Sequence, residues 1–303
     1  LPGLKLIPGC IILFPVPENK EVLMTRIVAD TTCGLEKGIA GQLGIPLISQ
    51  IINFGEESFR EGVDIDHATF MNRLLTGRLL PKTAAPYPGD FIEVFTDLVR
   101  GGQSIVCIHP SADVSGTVRS AEIAKADFPG ADIRIIDTRS IGGPLASMVL
   151  EADRLAKAGA SADDVEALVR EMIPRARIYF LVDTLEFLQR GGRIGGAQAL
   201  VGSILQIKPI LTFVNGCIEQ FEKERTKRRA VARIKELVVS QAAHGEDAHL
   251  TVMHAGAPDA AAALAADLKA ATGAPDVAIM NLVPAIVTHA GPGVLAAGFF
   301  TPA

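Results

Sequence analysis

The stretch Ser104-Ile105-Val106-Cys107-Ile108-His109-Pro110-Ser111-Ala112-Asp113-Val114-Ser115-Gly116-Thr117 decides the fold class. Residues 104–108 are a short β-branched run that reads as a buried strand. A polar turn follows, and a helix over 116–126. A strand handing over to a helix across such a turn is half of a βαβ unit. A hydroxyl at this junction stands at the C-terminal edge of a sheet and at a helix N-terminus, where free N–H groups and the helix dipole suit an anion. Read alone, the same residues also make a plain helix cap, the commoner case.

The pattern repeats outward in both directions. Towards the N-terminus, 26–29 reads as a strand and 35–43 as a helix stopped by Gly44. Residues 47–54 are extended and 55–66 a polar excursion, after which Asp66 caps a helix that carries Phe70, Leu74 and Leu75 to Gly77. The segment 80–89, with Pro81, Pro86 and Pro88, reads as a loop. Towards the C-terminus come a strand at 133–137, a helix over 142–158 and a capping box from Ser161 to Asp164. A second unit opens near Arg177, with a strand at 178–182 and a helix over 197–205. Strands at 209–214 and 218–222 form a hairpin across Asn215-Gly216, a strong type I′ signal. A helix starting at Thr226, a strand at 250–253, a helix over 260–271 and a strand at 277–282 complete the alternation.

With 303 residues the chain suits two domains. We place them at 24–176 and 177–303, with 1–23 as either an N-terminal extension or a misassigned start. Leu6 to Pro15 is apolar but short, is broken by Pro8 and Pro15 and lacks a convincing cleavage site, so it makes a weak signal peptide. Hydrophobic residues are 49% and charged residues 21%, while aromatics are only 5%, so aliphatic side chains must fill the core. A net charge of −5 argues against binding nucleic acid through phosphate neutralisation. No run is long enough to insert stably in a membrane. Cys10, Cys33, Cys107 and Cys217 form no CxxC pair, which fits reduced thiols in a cytoplasmic protein.

Three further turns carry polar or glycine-rich clusters: Lys82-Thr83-Ala84-Ala85-Pro86, Arg190-Gly191-Gly192-Arg193-Ile194-Gly195-Gly196 and Thr288-His289-Ala290-Gly291-Pro292-Gly293. The second could cradle a phosphate, yet it is neither a P-loop nor a dinucleotide fingerprint. His244, His249 and His254 are five apart; the last two flank the strand at 250–253, where an odd separation sends side chains to opposite faces, so no metal site is expected. His67 and His109 have no evident partner, and His289 reads as a lone loop histidine.

Taken together these segments resemble the DegV family. The likeness rests on Ile27-Val28-Ala29-Asp30-Thr31-Thr32, Thr83-x-x-Pro86, Val114-Ser115-Gly116-Thr117, Leu185-Glu186-Phe187-Leu188-x-Arg190-Gly191-Gly192-Arg193-Ile194, Ile207-Lys208-Pro209-Ile210-Leu211 and Thr288-His289-x-Gly291-Pro292-Gly293, in order, from Met24 to Phe300. It implies a two-domain α/β fold: an N-terminal Rossmann-like domain with a parallel sheet, a C-terminal α/β domain with a mixed sheet, and a lipid between and within them. It implies a non-catalytic carrier that buries one long-chain fatty acid of palmitate, stearate or oleate type. A separate fatty acid kinase then phosphorylates the carboxylate with ATP, a step of phospholipid metabolism. By the same resemblance Thr83, Ser115, the Gly116 backbone, Arg193 and His289 hold the carboxylate, and no cofactor is required. The family commonly has Thr-Ser-Gln-Pro where this chain has Thr83-Ala84-Ala85-Pro86, and a Ser pair where it has Ser111-Ala112.

Burying a sixteen-carbon tail at about 0.8 kcal/mol per methylene offers roughly 12 kcal/mol before binding costs. Ile204, Leu205, Ile207, Ile210, Leu211 and Phe213 are the expected acyl-chain lining, although each could equally be ordinary core. Arg225, Lys227, Arg228 and Arg229 cluster at a helix start, where cations oppose the dipole; the resemblance puts Arg225 on the kinase-facing surface, so the cluster is the expected kinase-docking site. The rival reading is a serine hydrolase with Ser115 as nucleophile and His289 as base. Asp113-Val114-Ser115-Gly116-Thr117 lacks the first glycine of a nucleophile elbow, and no aspartate announces itself as the orienter of His289.

Overall fold

The computed structural model describes residues 24–77, 79–200 and 207–303. The first strands and helices are β1 (Thr25–Asp30), α1 (Lys37–Leu43), β2 (Leu47–Ile48), β3 (Ile51–Phe54), β4 (Glu57–Arg60), α2 (His67–Thr76), β5 (Lys82–Ala84) and α3 (Pro88–Arg100). Then follow β6 (Ser104–His109), α4 (Thr117–Lys125), β7 (Ile133–Asp137), α5 (Gly143–Lys157), α6 (Ala162–Met172), β8 (Ala176–Leu181) and α7 (Glu186–Arg190). The chain closes with β9 (Lys208–Val214), β10 (Cys217–Glu224), α8 (Lys227–Gln241), β11 (Thr251–His254), α9 (Pro258–Thr272), β12 (Ala278–Asn281), α10 (Pro284–Ala290) and β13 (Leu295–Phe300).

These strands build an α/β fold from three sheets. The first has the order β2-β1-β6-β7 and is wholly parallel. β6 is buried at all six positions, as a central strand covered on both faces must be. The second has the order β10-β9-β8-β13-β11-β12, antiparallel except for the β11–β12 pair. A small antiparallel sheet, β4-β3-β5, is the third. Helix α5 lies between the two large sheets. Its Leu145, Met148 and Val149 share a core with Ile27, Val106 and Ile108 of the first sheet and Phe300 of the second.

Alternation along the second sheet separates its two faces. Tyr179, Leu181, Val252, Ala297 and Phe299 pack beneath α8 and α9. Ile178, Phe180, Met253 and Ala296 point the other way, into a core shared with Ile52, Phe54, Phe70 and Leu74 of the small sheet and α2. Although drawn from the first half of the chain, the small sheet therefore packs against the second sheet.

Several expectations need correction. The excursion at 55–66 contains β4, which pairs with β3. The proline-bearing loop contributes β5 and the start of α3, a helix the periodicity had not suggested. The loop around His289 is the end of α10, and β13 is a further unanticipated strand, central in its sheet. Of the helix expected over 197–205, the described part is a 3-10 turn at Gly195–Leu200. Ile204, Leu205 and residues 1–23 lie outside the described residues. Among those described, no helix is long and apolar enough to cross a membrane.

Candidate functional site

A cavity opens on the face of the second sheet that meets the small sheet. Its apolar wall includes Ile178, Phe180, Phe213, Ile218, Met253 and Leu282. Thr83, Ser115, Gly116, Arg193 and His289 line the same cavity, and Thr32 and Gln50 add two polar groups. Thr83, Arg193 and His289 also line a groove shared with Leu80, Lys82 and Arg190, so the polar end abuts a second opening.

Each polar group is delivered by a different element. Thr83 is the middle residue of β5, held in register opposite Ile52 of β3. Its hydroxyl lies 2.7 Å from His289 Nε2, joining two residues 206 apart in sequence. His289 sits in the last turn of α10, which Pro284 opens and Gly291 ends. Ser115 precedes α4, whose cap position is Gly116 with no side-chain cap bond. Ser115 is thus not the plain helix cap. Its Oγ lies 2.8 Å from the Thr117 hydroxyl and reaches the Thr117 N–H only at 3.4 Å. Arg193 donates to the Val114 carbonyl at 3.0 Å and to the Gly191 carbonyl at 2.6 Å. It ties the Ser115 turn to the glycine-rich turn.

Burial, and secondarily the positive Arg193, push the His289 imidazole down to about 4, so the ring is neutral at physiological pH. Among the described residues its buried Nδ1 has no hydrogen-bond partner. A hydrolytic base would need a carboxylate there to orient it, and none of the described residues supplies one. Gly191 packs against this nitrogen, since a Cβ on Gly191 would lie 2.1 Å from Nδ1. Gly191 therefore makes room for His289, a role that reading its turn as a phosphate cradle did not suggest.

The expected lining is only partly met. Phe213 lines the cavity, whereas Ile207 and Leu211 belong to the surrounding core and do not. Ile210 points to the opposite face, towards α8, because it is one residue out of phase with Leu211 and Phe213. His109, expected to lack a partner, pairs at 2.9 Å with Asp30, both fully buried. In the basic cluster Thr226 caps α8 by accepting from the Arg229 N–H. Lys227 is engaged with Asp183 at 2.9 Å, leaving Arg225, Arg228 and Arg229 as the exposed cations.

The site is thus an apolar cavity in a three-sheet α/β fold, with hydroxyls, an imidazole and a guanidinium gathered along one part of its lining. A model of the DegV family matches residues 24–301. A DegV domain-containing protein of Halalkalibacterium halodurans is 37% identical over 273 residues, covering 89% of this chain and 96% of that protein. Protein DegV of Bacillus subtilis is 35% identical, again over 89% and 96%. The chain belongs to the DegV family. Among solved structures it is similar to a fatty-acid-binding DegV family protein from Thermus thermophilus, with TM-score 0.85 and 29% identity over 92% of this chain and all of that one. It is also similar to DegV of Bacillus subtilis, described as a fatty acid binding protein, with TM-score 0.81 and 32% identity over 92% and 100%.

Proposed function

We propose that this protein binds one long-chain fatty acid and presents its carboxylate to an ATP-dependent fatty acid kinase in the cytoplasm, itself doing no chemistry. The supporting observation is the cavity: an apolar lumen with hydrogen-bond donors gathered at the end that abuts a second opening. The hydroxyls of Thr83 and Ser115, the Gly116 backbone, His289 and the Arg193 guanidinium receive the carboxylate. A buried anion left unpaired would cost several kcal/mol, so this end must satisfy the head while the tail supplies the affinity. The free volume of the lumen is about 100 Å³. That holds on the order of ten water-sized groups, fewer than a palmitate, stearate or oleate tail needs. Wall side chains such as Phe213 and Met253 shift as the tail enters. The second opening at Arg190, Arg193 and His289 lets a kinase reach the carboxylate, and Arg225, Arg228 and Arg229 supply a basic docking face for it.

Native mass spectrometry and a denaturing lipid extract of the purified protein test the binding step. Stoichiometric fatty acid of about 14 to 18 carbons is expected, a range set by the family resemblance together with the affinity that methylene burial supplies. An empty extract, with no rise in melting temperature on adding palmitate or oleate, would reject the reading.

A further inference from the structure

Behind Ser115 runs a buried chain of hydrogen bonds whose direction is fixed from its far end. Asp30 ends β1 with none of its surface exposed. Its Oδ1 accepts from the Thr32 N–H at 3.0 Å, the Thr32 hydroxyl at 2.6 Å and Gln50 Nε2 at 3.0 Å. Its Oδ2 faces His109 Nδ1 at 2.9 Å. A carboxylate taking this many bonds is an acceptor only, so it requires the nitrogen rather than the oxygen of the Gln50 amide. That same Nε2 reaches Thr117 Oγ1 at 2.8 Å. Its two protons are thereby assigned, one to Asp30 and one to Thr117. Thr117, itself fully buried, must then place its own proton on a neighbour, and the neighbour is Ser115 Oγ at 2.8 Å. The reverse arrangement would leave Thr117 accepting twice with its proton unpaired in the interior, a costly state. Ser115 accepts from Thr117, and its own proton is free to turn into the cavity.

We infer that Asp30, Gln50 and Thr117 are positioning residues that make Ser115 a hydrogen-bond donor towards the cavity, and so select a carboxylate over an uncharged head such as an alcohol. This rests on the fatty-acid reading above. Gln50→Glu keeps the shape but reverses the chain. Two carboxylates about 3 Å apart cannot both ionise. The one proton they share sits between Glu and Asp30, leaving the Glu oxygen as an acceptor towards Thr117. Thr117 then donates to position 50, Ser115 donates to Thr117, and Ser115 shows the cavity only lone pairs. A carboxylate is repelled there, while an alcohol can still donate.

Delipidated protein is titrated with hexadecanoate and with hexadecan-1-ol in competition with a fluorescent fatty acid. Wild type should prefer the acid, and Gln50→Glu should cut that acid-to-alcohol ratio roughly 10- to 150-fold, the range for one charge-assisted hydrogen bond. On a Ser115→Ala background the same substitution should change the ratio by less than about two-fold, because the end of the chain is gone. Thr117→Ser should keep the wild-type ratio and Thr117→Val should lower it, which decides the matter if Gln50→Glu does not fold. A ratio unchanged in folded Gln50→Glu, or equal in Thr117→Ser and Thr117→Val, overturns the inference. Failure of wild type to bind the acid at all would instead overturn the fatty-acid reading.

Discussion

Gly191→Ala tests whether the His289 imidazole is held by shape. Gly191 has φ −76° and ψ −10°, which alanine adopts freely, so the substitution brings a methyl group without backbone strain. That methyl would stand 2.1 Å from His289 Nδ1, 2.9 Å from Cε1 and 3.1 Å from the Phe187 carbonyl oxygen. Ordinary contact begins at 3.4 Å, so the ring must yield by 3.4 − 2.1 = 1.3 Å. It cannot retreat straight back, because Thr83 Oγ1 already stands 2.7 Å from Nε2 on the far side. The ring swings out of line, and the Thr83 bond is lost together with the place beside a carboxylate that the proposed function gives the imidazole. One charge-assisted hydrogen bond is worth about 1.5–3 kcal/mol, or roughly 10- to 150-fold in fatty-acid affinity. Displacement titration of delipidated protein measures this, with Gly89→Ala as control, since nothing lies within 4 Å of a Cβ there. Wild-type affinity in folded Gly191→Ala would refute the claim that the imidazole is wedged in place and needed.

Other perturbations reach other parts of the molecule. Burial raises the Glu61 carboxyl from 4.5 to about 7, against the opposing effect of its bonds to Thr31 and the Ala285 N–H. The folded protein therefore holds a proton that the unfolded chain has released. The Glu61 contribution to stability is full below pH 4.5 and lost as pH rises through 7, by about 3 kcal/mol. Glu61→Gln should remove that slope, so wild type and variant should diverge between pH 4.5 and 7 in denaturant titrations; parallel curves would contradict it. Ser115→Ala should reduce fatty-acid retention roughly 10- to 150-fold with little change in melting temperature. Fluorophosphonate labelling of Ser115 with matching esterase turnover would favour the hydrolase instead. Arg225→Glu should slow phosphorylation in a kinase-coupled assay, and the wild-type rate should fall with added salt, while bound lipid is unchanged. Loss of lipid in Arg225→Glu, or unaltered coupling, would remove the docking face.

What the sequence made legible is what local physics determines. Asp66 caps α2, Ser161 and Asp164 form their box, and Asn215 and Gly216 both take positive φ in the β9–β10 turn, because each signal is contained within four residues. The motif order, too, pointed to residues that the fold gathers around one cavity from β5, α10 and the turns before α4 and after α7. Illegible were features set by distant partners. β5 has only three residues and exists because β3 accepts it as a neighbour. β9 is apolar on both faces, so nothing local tells Ile210 from Leu211 until α8 claims one side. Gln50 and Thr117 are 67 residues apart, and Asp30 and His109 are 79 apart, so neither pairing leaves a spacing to read. At Asp30 the visible hints were its place in the opening family motif and a carboxylate closing the apolar run at 27–29. Gly191 shows the same limit in another form: its turn suggested bare N–H groups for a phosphate, yet the side chain is absent because an imidazole from a residue 98 positions later occupies the space beside it. The geometry of the site lies in these long-range fits, which is why substitutions of Gly191, Gln50 and Thr117 test the proposed function as sharply as those of Thr83, Ser115, Arg193 and His289.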